Sequence, residues 1–134
     1  MPGWTYFAHT GKCYKNDPVK RFWTDNLNAC RLSHVPTSDM ASIPDEETNK
    51  FIGSLTSEDT HIGGYYDYDQ KVWNWSDGSL WNYTNWVDSP GGNQFLQIVE
   101  EYEGWSKDGE WTTIKEISST SWKRYWRGSV CQYD

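Results

Sequence analysis

The chain is short of several things at once. It has 12 lysines and arginines against 19 aspartates and glutamates, a formal net charge of -7. Binding to a nucleic-acid backbone needs a basic field, so no nucleic-acid partner is expected. No apolar run approaches the about 20 residues that cross a bilayer as a helix, so no membrane span is expected. Met1-Pro2-Gly3-Trp4 has neither the basic start nor the apolar run of a secretory leader. Cysteine is scarce and odd in number: Cys13, Cys30 and Cys131 allow at most one internal bridge and leave one thiol over. Their spacing alone does not choose between Cys30–Cys131 and Cys13–Cys131. Histidine is scarce too. His9, His34 and His61 are scattered, with no metal-ligand spacing of the H-E-x-x-H kind. No serine or cysteine stands in a nucleophile turn. Paired carboxylates do occur, at Asp67 and Asp69 and at Glu100, Glu101 and Glu103, but such runs ordinarily solvate a surface. No catalytic residue and no enzyme is expected.

What the chain has is aromatic surface. Aromatics make up 17% of its 134 residues and include 10 tryptophans. Wide rings with a polar edge give a core large enough for one domain, residues 1–134, and exclude a disordered class. Trp23, Leu27 and Cys30 share one helical face behind Thr24, which predicts a helix over 24–34 with Thr24 as its N-cap and Pro36 beyond its end. Asp45 ahead of Glu46 and Glu47 predicts a second helix over 46–56, burying Phe51, Ile52 and Leu55. These helices are expected among short strands. Later come strand signals at His61–Tyr65, with close backbone approach at Gly63 and Gly64, and at Val72–Trp75, followed by a Ser76-Asp77-Gly78 turn. Residues 80–94 read as irregular around Asp88-Ser89-Pro90-Gly91-Gly92. Further strands are expected at Phe95–Val99, Glu110–Ile114 and Ser129–Gln132. There is no internal repeat and no linker. Helices first and strands later indicate α+β.

The order of these pieces carries a resemblance. Gly3-Trp4, Cys13-Tyr14-Lys15, Trp23, Cys30, Met40-Ala41-Ser42-Ile43, Asp45-Glu46-Glu47-Thr48-Asn49, Phe51-Ile52, Ile62-Gly63-Gly64, Trp73-Asn74-Trp75-Ser76-Asp77-Gly78-Ser79, Tyr83, Asn85-Trp86 and Val130-Cys131-Gln132 follow one another in sequence. Over essentially its whole length the chain resembles the C-type lectin-like domain, in the style of its short secreted invertebrate members. The resemblance implies a double-loop fold: paired terminal strands, two helices flanking two small antiparallel sheets, and a long irregular loop. It implies a bridge from Cys30 to Cys131. It also implies that a second bridge is missing, because Phe95 occupies one cysteine slot and the other falls near Glu116. Ile114, Ile117 and Trp122 are the expected apolar cover for Phe95. Cys13 matches one half of an amino-terminal bridge of longer forms, whose partner would fall at or before Met1, and is expected to be free or to pair between chains.

Members that bind sugar through calcium carry Glu-Pro-Asn or Gln-Pro-Asp in the loop and Trp-Asn-Asp on a later strand. Calcium takes six to eight oxygens, several of them anionic. Here the loop proline, Pro90, lies between Ser89 and Gly91, and the strand reads Trp111-Thr112-Thr113. The usual site is therefore expected to be absent, with Asp88, Pro90 and Asn93 as its remnant, and no cofactor is expected. The rival is a rearranged calcium site using Asp88, Asn93 and Glu100 or Glu101.

Two aromatic sets are candidate ligand surfaces. Trp122-Lys123-Arg124-Tyr125-Trp126-Arg127 is the one local basic cluster, and rings interleaved with cations stack on sugars or anchor protein partners. Trp81, Trp86 and Trp105 are the second set, and Trp105 is also a candidate ligand residue. Trp86 matches a core position of the family, while Trp81 is left open between core and surface. Asn74 and Asn82 both begin glycan-acceptor triplets; Asn82, in a loop, is the better acceptor, since Asn74 is expected in an inner strand. The implied function is a secreted, extracellular recognition domain that binds a glycan or protein on another cell or host surface without calcium. The alternatives are a calcium-dependent lectin with a degenerate loop, and an ice- or mineral-facing structural protein of the same fold. The oligomeric state is not legible.

Overall fold

The computed structural model describes residues 3–90, 93–100, 108–114 and 126–134. Ten elements follow in order: β1 (Thr5–Phe7), β2 (Lys12–Arg21), α1 (Trp23–Ser33), β3 (Asp39–Met40), α2 (Glu46–Ser54), β4 (Thr60–Asp67), β5 (Val72–Trp75), β6 (Phe95–Ile98), β7 (Trp111–Ile114) and β8 (Arg127–Tyr133). The architecture is α+β, as expected.

Both helices form where the apolar spacing places them. The cap of α2 is the expected one: Asp45 accepts from the Thr48 backbone N–H at 2.9 Å and from the Thr48 hydroxyl at 2.7 Å. The cap of α1 is not. Phe22 holds the N-cap position and makes no side-chain cap bond, so Thr24 lies inside the first turn. The reason is the strand before it. β2 runs to Arg21, so the chain turns into the helix at once and Phe22 takes the extended cap conformation. The face that α2 buries is more polar than its sequence suggests. Ile52 is fully buried, but so are Thr48 and Asn49, while Phe51 and Leu55 are half-buried against the core.

The strand set differs from expectation mainly at the start. β2 is 10 residues long, where only short strands were expected. Its sequence does not alternate, because its pairing with β8 rather than its own pattern holds it extended. β8 joins β2 antiparallel, with Tyr14 opposite Gln132 and Lys15 opposite Cys131, so the terminal strands pair. The sheet order is β1-β2-β8-β4-β6-β7, with β3 on β8 and β5 on β4. The two antiparallel sets are both present. A parallel pairing of β4 with β8, Thr60 to Gly128 and His61 to Ser129, fuses them into one mixed sheet. Among the described residues β5 pairs with β4 alone, so Asn74 lies on an edge strand and not on an inner one.

On β4, a Cβ at Gly63 would stand 2.9 Å from the Ala41 carbonyl oxygen, and one at Gly64 would press on the Leu96 side chain. The expected close approach is therefore real, and at Gly63 it is made against backbone. Two apolar clusters fill the interior. One gathers Tyr14, Ile43, Ile52, Ile62, Trp75, Leu96, Ile98, Trp111 and Val130. The other gathers Trp23, Met40, Phe95 and Ile114 around Cys30 and Cys131. Those two cysteines are bridged, with Cα atoms 5.2 Å apart, and tie α1 to β8. Cys13 is free and half-buried on β2, opposite Tyr133.

Candidate functional site

The long loop leaves the aromatic interior and returns to it. Trp73 and Trp75 on β5, Trp81 and Trp86 in the irregular segment, and Trp111 on β7 form a continuous wall, with neighbouring ring centroids between 4.6 and 5.8 Å apart. Trp86 bridges Trp111 through its backbone and packs half-buried against the core cluster, on the side expected of it. Trp81 also belongs to the wall, half-buried against Trp75. Trp111 is fully buried, and its indole N–H donates to Asn49 Oδ1 at 2.7 Å. Asn49 also donates to the Gly109 carbonyl at 2.8 Å. That is why α2 buries an asparagine: it supplies the acceptor that a buried indole requires.

At the far end of the loop the two threonines of the strand triplet are both engaged. Thr113 Oγ1 donates to the Pro90 carbonyl at 2.7 Å and ties the loop to β7. Thr112 Oγ1 accepts from Gln97 Nε2 at 2.9 Å, and Gln97 Oε1 accepts from Arg127 Nε at 3.2 Å. A polar relay thus crosses from β8 over β6 to β7. Arg127, a candidate ligand residue, is half-buried within it and also donates to the Trp126 carbonyl at 2.9 Å. Asp88 and Asn82 are exposed, and Asn93 is half-buried. Glu100 turns away from the loop: it accepts from Thr56 Oγ1 at 2.8 Å beyond the end of α2, and its backbone N–H donates to Asp59 Oδ1. Burial, with Asp108 and Asp59 nearby, pushes its carboxyl above the ordinary value. Among the described residues no three histidine, cysteine or acidic side chains gather as a metal cluster.

Of the basic aromatic segment, Trp126 and Arg127 are described. Trp122, Lys123, Arg124 and Tyr125 lie outside the described residues, as do Trp105, Ile117 and Glu101. Trp126 meets Phe22 edge-on at 5.6 Å. Phe95 is 8% exposed, and Ile114 pairs with it across β6 and β7, as expected. A further cover was not anticipated, while Ile117 and Trp122 lie outside the described residues. Trp23 stacks on Phe95 at 4.5 Å with 18° between planes, and donates its own indole N–H to the Ile62 carbonyl at 2.8 Å. Trp23 is legible as part of the apolar face of α1, but nothing in its spacing names the strand it meets.

The Ser76-Asp77-Gly78-Ser79 turn is a structural hub. Asp77 accepts from the Ser42 hydroxyl, from Gln132 Nε2 at 2.7 Å and from the Ser79 backbone at 2.9 Å, with Lys12 Nζ at 3.7 Å. Burial alone would raise its carboxyl; the hydrogen bonds from Ser42, Ser79 and Gln132 outweigh that and hold it below the ordinary range. The histidines are equally structural. His9 bonds Asp45 at 2.8 Å, His34 packs on the Tyr133 ring at 3.9 Å, and fully buried His61 bonds Asn26 at 2.9 Å.

A sequence profile of the lectin C-type domain matches residues 19–132. The chain belongs to the C-type lectin domain family. A lectin of Pleurodeles waltl is 32% identical over 91 residues, covering 63% of this chain and 51% of that protein, so the chain spans about half the length of this relative. Among solved structures, a calcium-independent type II antifreeze protein superposes with a TM-score of 0.79 at 19% identity, covering 98% of this chain and 92% of its own. The C-type lectin CEL-I of Cucumaria echinata superposes at 0.78 with 16% identity, covering 100% of this chain and 96% of its own. At such identities the two structures speak for the fold alone.

Proposed function

We propose that this C-type lectin domain is an extracellular recognition module that binds a glycan or protein ligand without calcium in its long loop. The observation that carries the reading is the bond from Thr113 to the Pro90 carbonyl. At the place where a calcium-binding member needs anionic oxygens, this chain has two hydroxyls already committed to Pro90 and Gln97. Neutral hydroxyls, with Ser89 and Gly91 beside the proline, are a poor donor set for an ion that takes six to eight oxygens. Of the two acids a rearranged site could use, Glu100 is held by Thr56 beyond α2, while Glu101 lies outside the described residues. The Cys30–Cys131 bridge suits an oxidising compartment, which supports secretion. Recognition rather than catalysis is also favoured by the structural partners of all three histidines.

A glycan array run in calcium and again in chelator tests this. Binding that survives chelation supports the reading. Binding abolished by chelation favours the calcium-dependent lectin and sinks it. A second reading, a surface facing ice or mineral, draws on the name of the antifreeze neighbour. Thermal hysteresis in solution is its direct test.

A further inference from the structure

The aromatic wall does not end in the core. Across β4 and β5, Tyr66 stands opposite Trp73. Their rings are 5.6 Å apart, and Tyr68 meets Tyr66 edge-on at 5.2 Å. Trp73 is backed by Trp81 and Trp86, at 5.7 and 5.2 Å. The inner side of this trio is therefore fixed to the interior, while Tyr68 is 56% exposed. The tip is also rigid. Asp67 Oδ1 accepts from the backbone N–H groups of Asp69 and Gln70, and the Lys71 N–H closes on the Asp67 carbonyl at 2.7 Å. The root of the long loop is bound to the same strand, through Tyr66 N–H to the Gln94 carbonyl at 2.8 Å.

Resting on the reading of the domain as a calcium-independent recognition module, we propose that Tyr66, Tyr68 and Trp73 form a binding platform for a neutral pyranose sugar. A pyranose presents a C–H face that packs on aromatic rings and an edge of hydroxyls that donate to carboxylates. The trio supplies the rings, and Asp67 and exposed Asp69 flank Tyr68 along the chain, so the hairpin tip carries negative charge. Those aspartates, in a chain of net charge -7, repel sulfated or sialylated chains and admit neutral ones. Three rings at a hairpin tip offer far less than the roughly 800 Å² per partner of a standard protein interface, which favours one or two sugar units over a protein. Because the tip is already ordered by its own hydrogen bonds, little conformational freedom is lost on binding.

The test uses the full chain in chelator on an array of neutral hexose and N-acetylhexosamine oligosaccharides, with anionic glycans alongside. Wild type should bind neutral members. Tyr68→Ala should weaken that binding about tenfold or more, with an unchanged melting temperature because the ring is exposed. Tyr6→Ala, another exposed tyrosine, on edge strand β1, should bind as wild type. Saturation-transfer NMR on a bound oligosaccharide should mark the C–H face of one ring. If wild type binds in chelator and both Tyr68→Ala and Tyr66→Ala bind equally well, the platform is refuted while the calcium-independent reading stands. If binding requires calcium, that reading fails, and Tyr68→Ala assayed in calcium still decides the platform. Preference for anionic glycans, or binding to a protein alone, overturns the platform.

Discussion

The two halves of the sheet are held by different means. Around β2, β3 and β8, the Cys30–Cys131 bridge fastens α1 to the last strand across a separation of 101 residues. Around β6 and β7, the described residues carry no second bridge, and Phe95 stands in the slot the resemblance assigns to one of its cysteines. There the hold is non-covalent: Trp23 stacked on Phe95, the Trp111 indole on Asn49, and Thr113 on the loop at Pro90. A covalent tie acts chiefly on the unfolded chain, by restricting its conformations. A stacked ring acts on the folded state, by removing apolar surface from water. The second region therefore depends on the first, since the ring that covers Phe95 belongs to α1, the helix that the bridge anchors.

Substitutions can break or sharpen this contrast. The largest loss is expected from Cys30→Ala with Cys131→Ala, at about 4–5 kcal/mol in chain-entropy terms. Denaturant unfolding of the double variant measures it; a loss under about 1 kcal/mol would mean that the bridge is redundant with packing. Phe95→Ala comes next, at about 3–5 kcal/mol, because it empties a buried site and strips the face of Trp23. A neutral outcome would sink the claim that packing replaces the second bridge. In the double-variant background the Phe95→Ala loss should shrink, since α1 no longer holds Trp23 in place; strict additivity would show the two regions to be independent.

Asp77, in the turn after β5, ties that turn to β8 through Gln132. Asp77→Asn sets an amide against donors and should cost about 1.5–3 kcal/mol. Its carboxyl lies below the reference value of 3.8, so its contribution is present above that pH and is lost as pH falls through the lower folded value. Wild type should therefore lose stability below about pH 4 more steeply than Asp77→Asn, and parallel acid curves would show that Asp77 is not responsible. Thr113→Val should cost about 1 kcal/mol and loosen the loop, read as faster amide exchange near Pro90 rather than a large shift in melting temperature. The smallest effect is at His9, raised above 6.5 by its hydrogen bond to Asp45, with the Asp45 and Glu47 charges adding to it. A raised histidine stabilises fully below its unfolded value, and that contribution fades as pH rises through the folded one. The proton NMR titration of His9 should show a midpoint above 6.5, and Asp45→Asn should lower it.

Much of the fold is legible in the order of residues. The apolar spacing of Trp23, Leu27 and Cys30, the Asp45 cap and the glycines of β4 all locate elements within a few residues. The cap of α1 is misread, because Thr24 has the right chemistry and β2 runs too close for it to act. β2 itself is under-read, because its extended form comes from β8, more than a hundred positions away in sequence. The candidate site is less legible. That Ser89, Gly91, Thr112 and Thr113 depart from the calcium-binding pattern is plain from residue types alone. The relay from Arg127 through Gln97 to Thr112 is not, since it joins three strands whose neighbours no local pattern names. Nor is the trio of Tyr66, Tyr68 and Trp73, which arises from the register of β4 against β5.

The sequence by itself determined the residue chemistry: an acidic, tryptophan-rich domain, helices where the periodicity is helical, one possible bridge, and a loop with Ser89 and Gly91 on either side of its proline. Tertiary structure alone decided which partners those residues meet. Trp23 joined Ile114 in covering Phe95, Asn49 became the acceptor for Trp111, and β4 with β8 fused two sheets into one. The physical reason is range. Caps, turns and periodicity act within a few residues, and a linear reading reaches them. Ring stacking and buried hydrogen bonds are chosen by the closing of the sheet, which brings together residues that the chain keeps far apart.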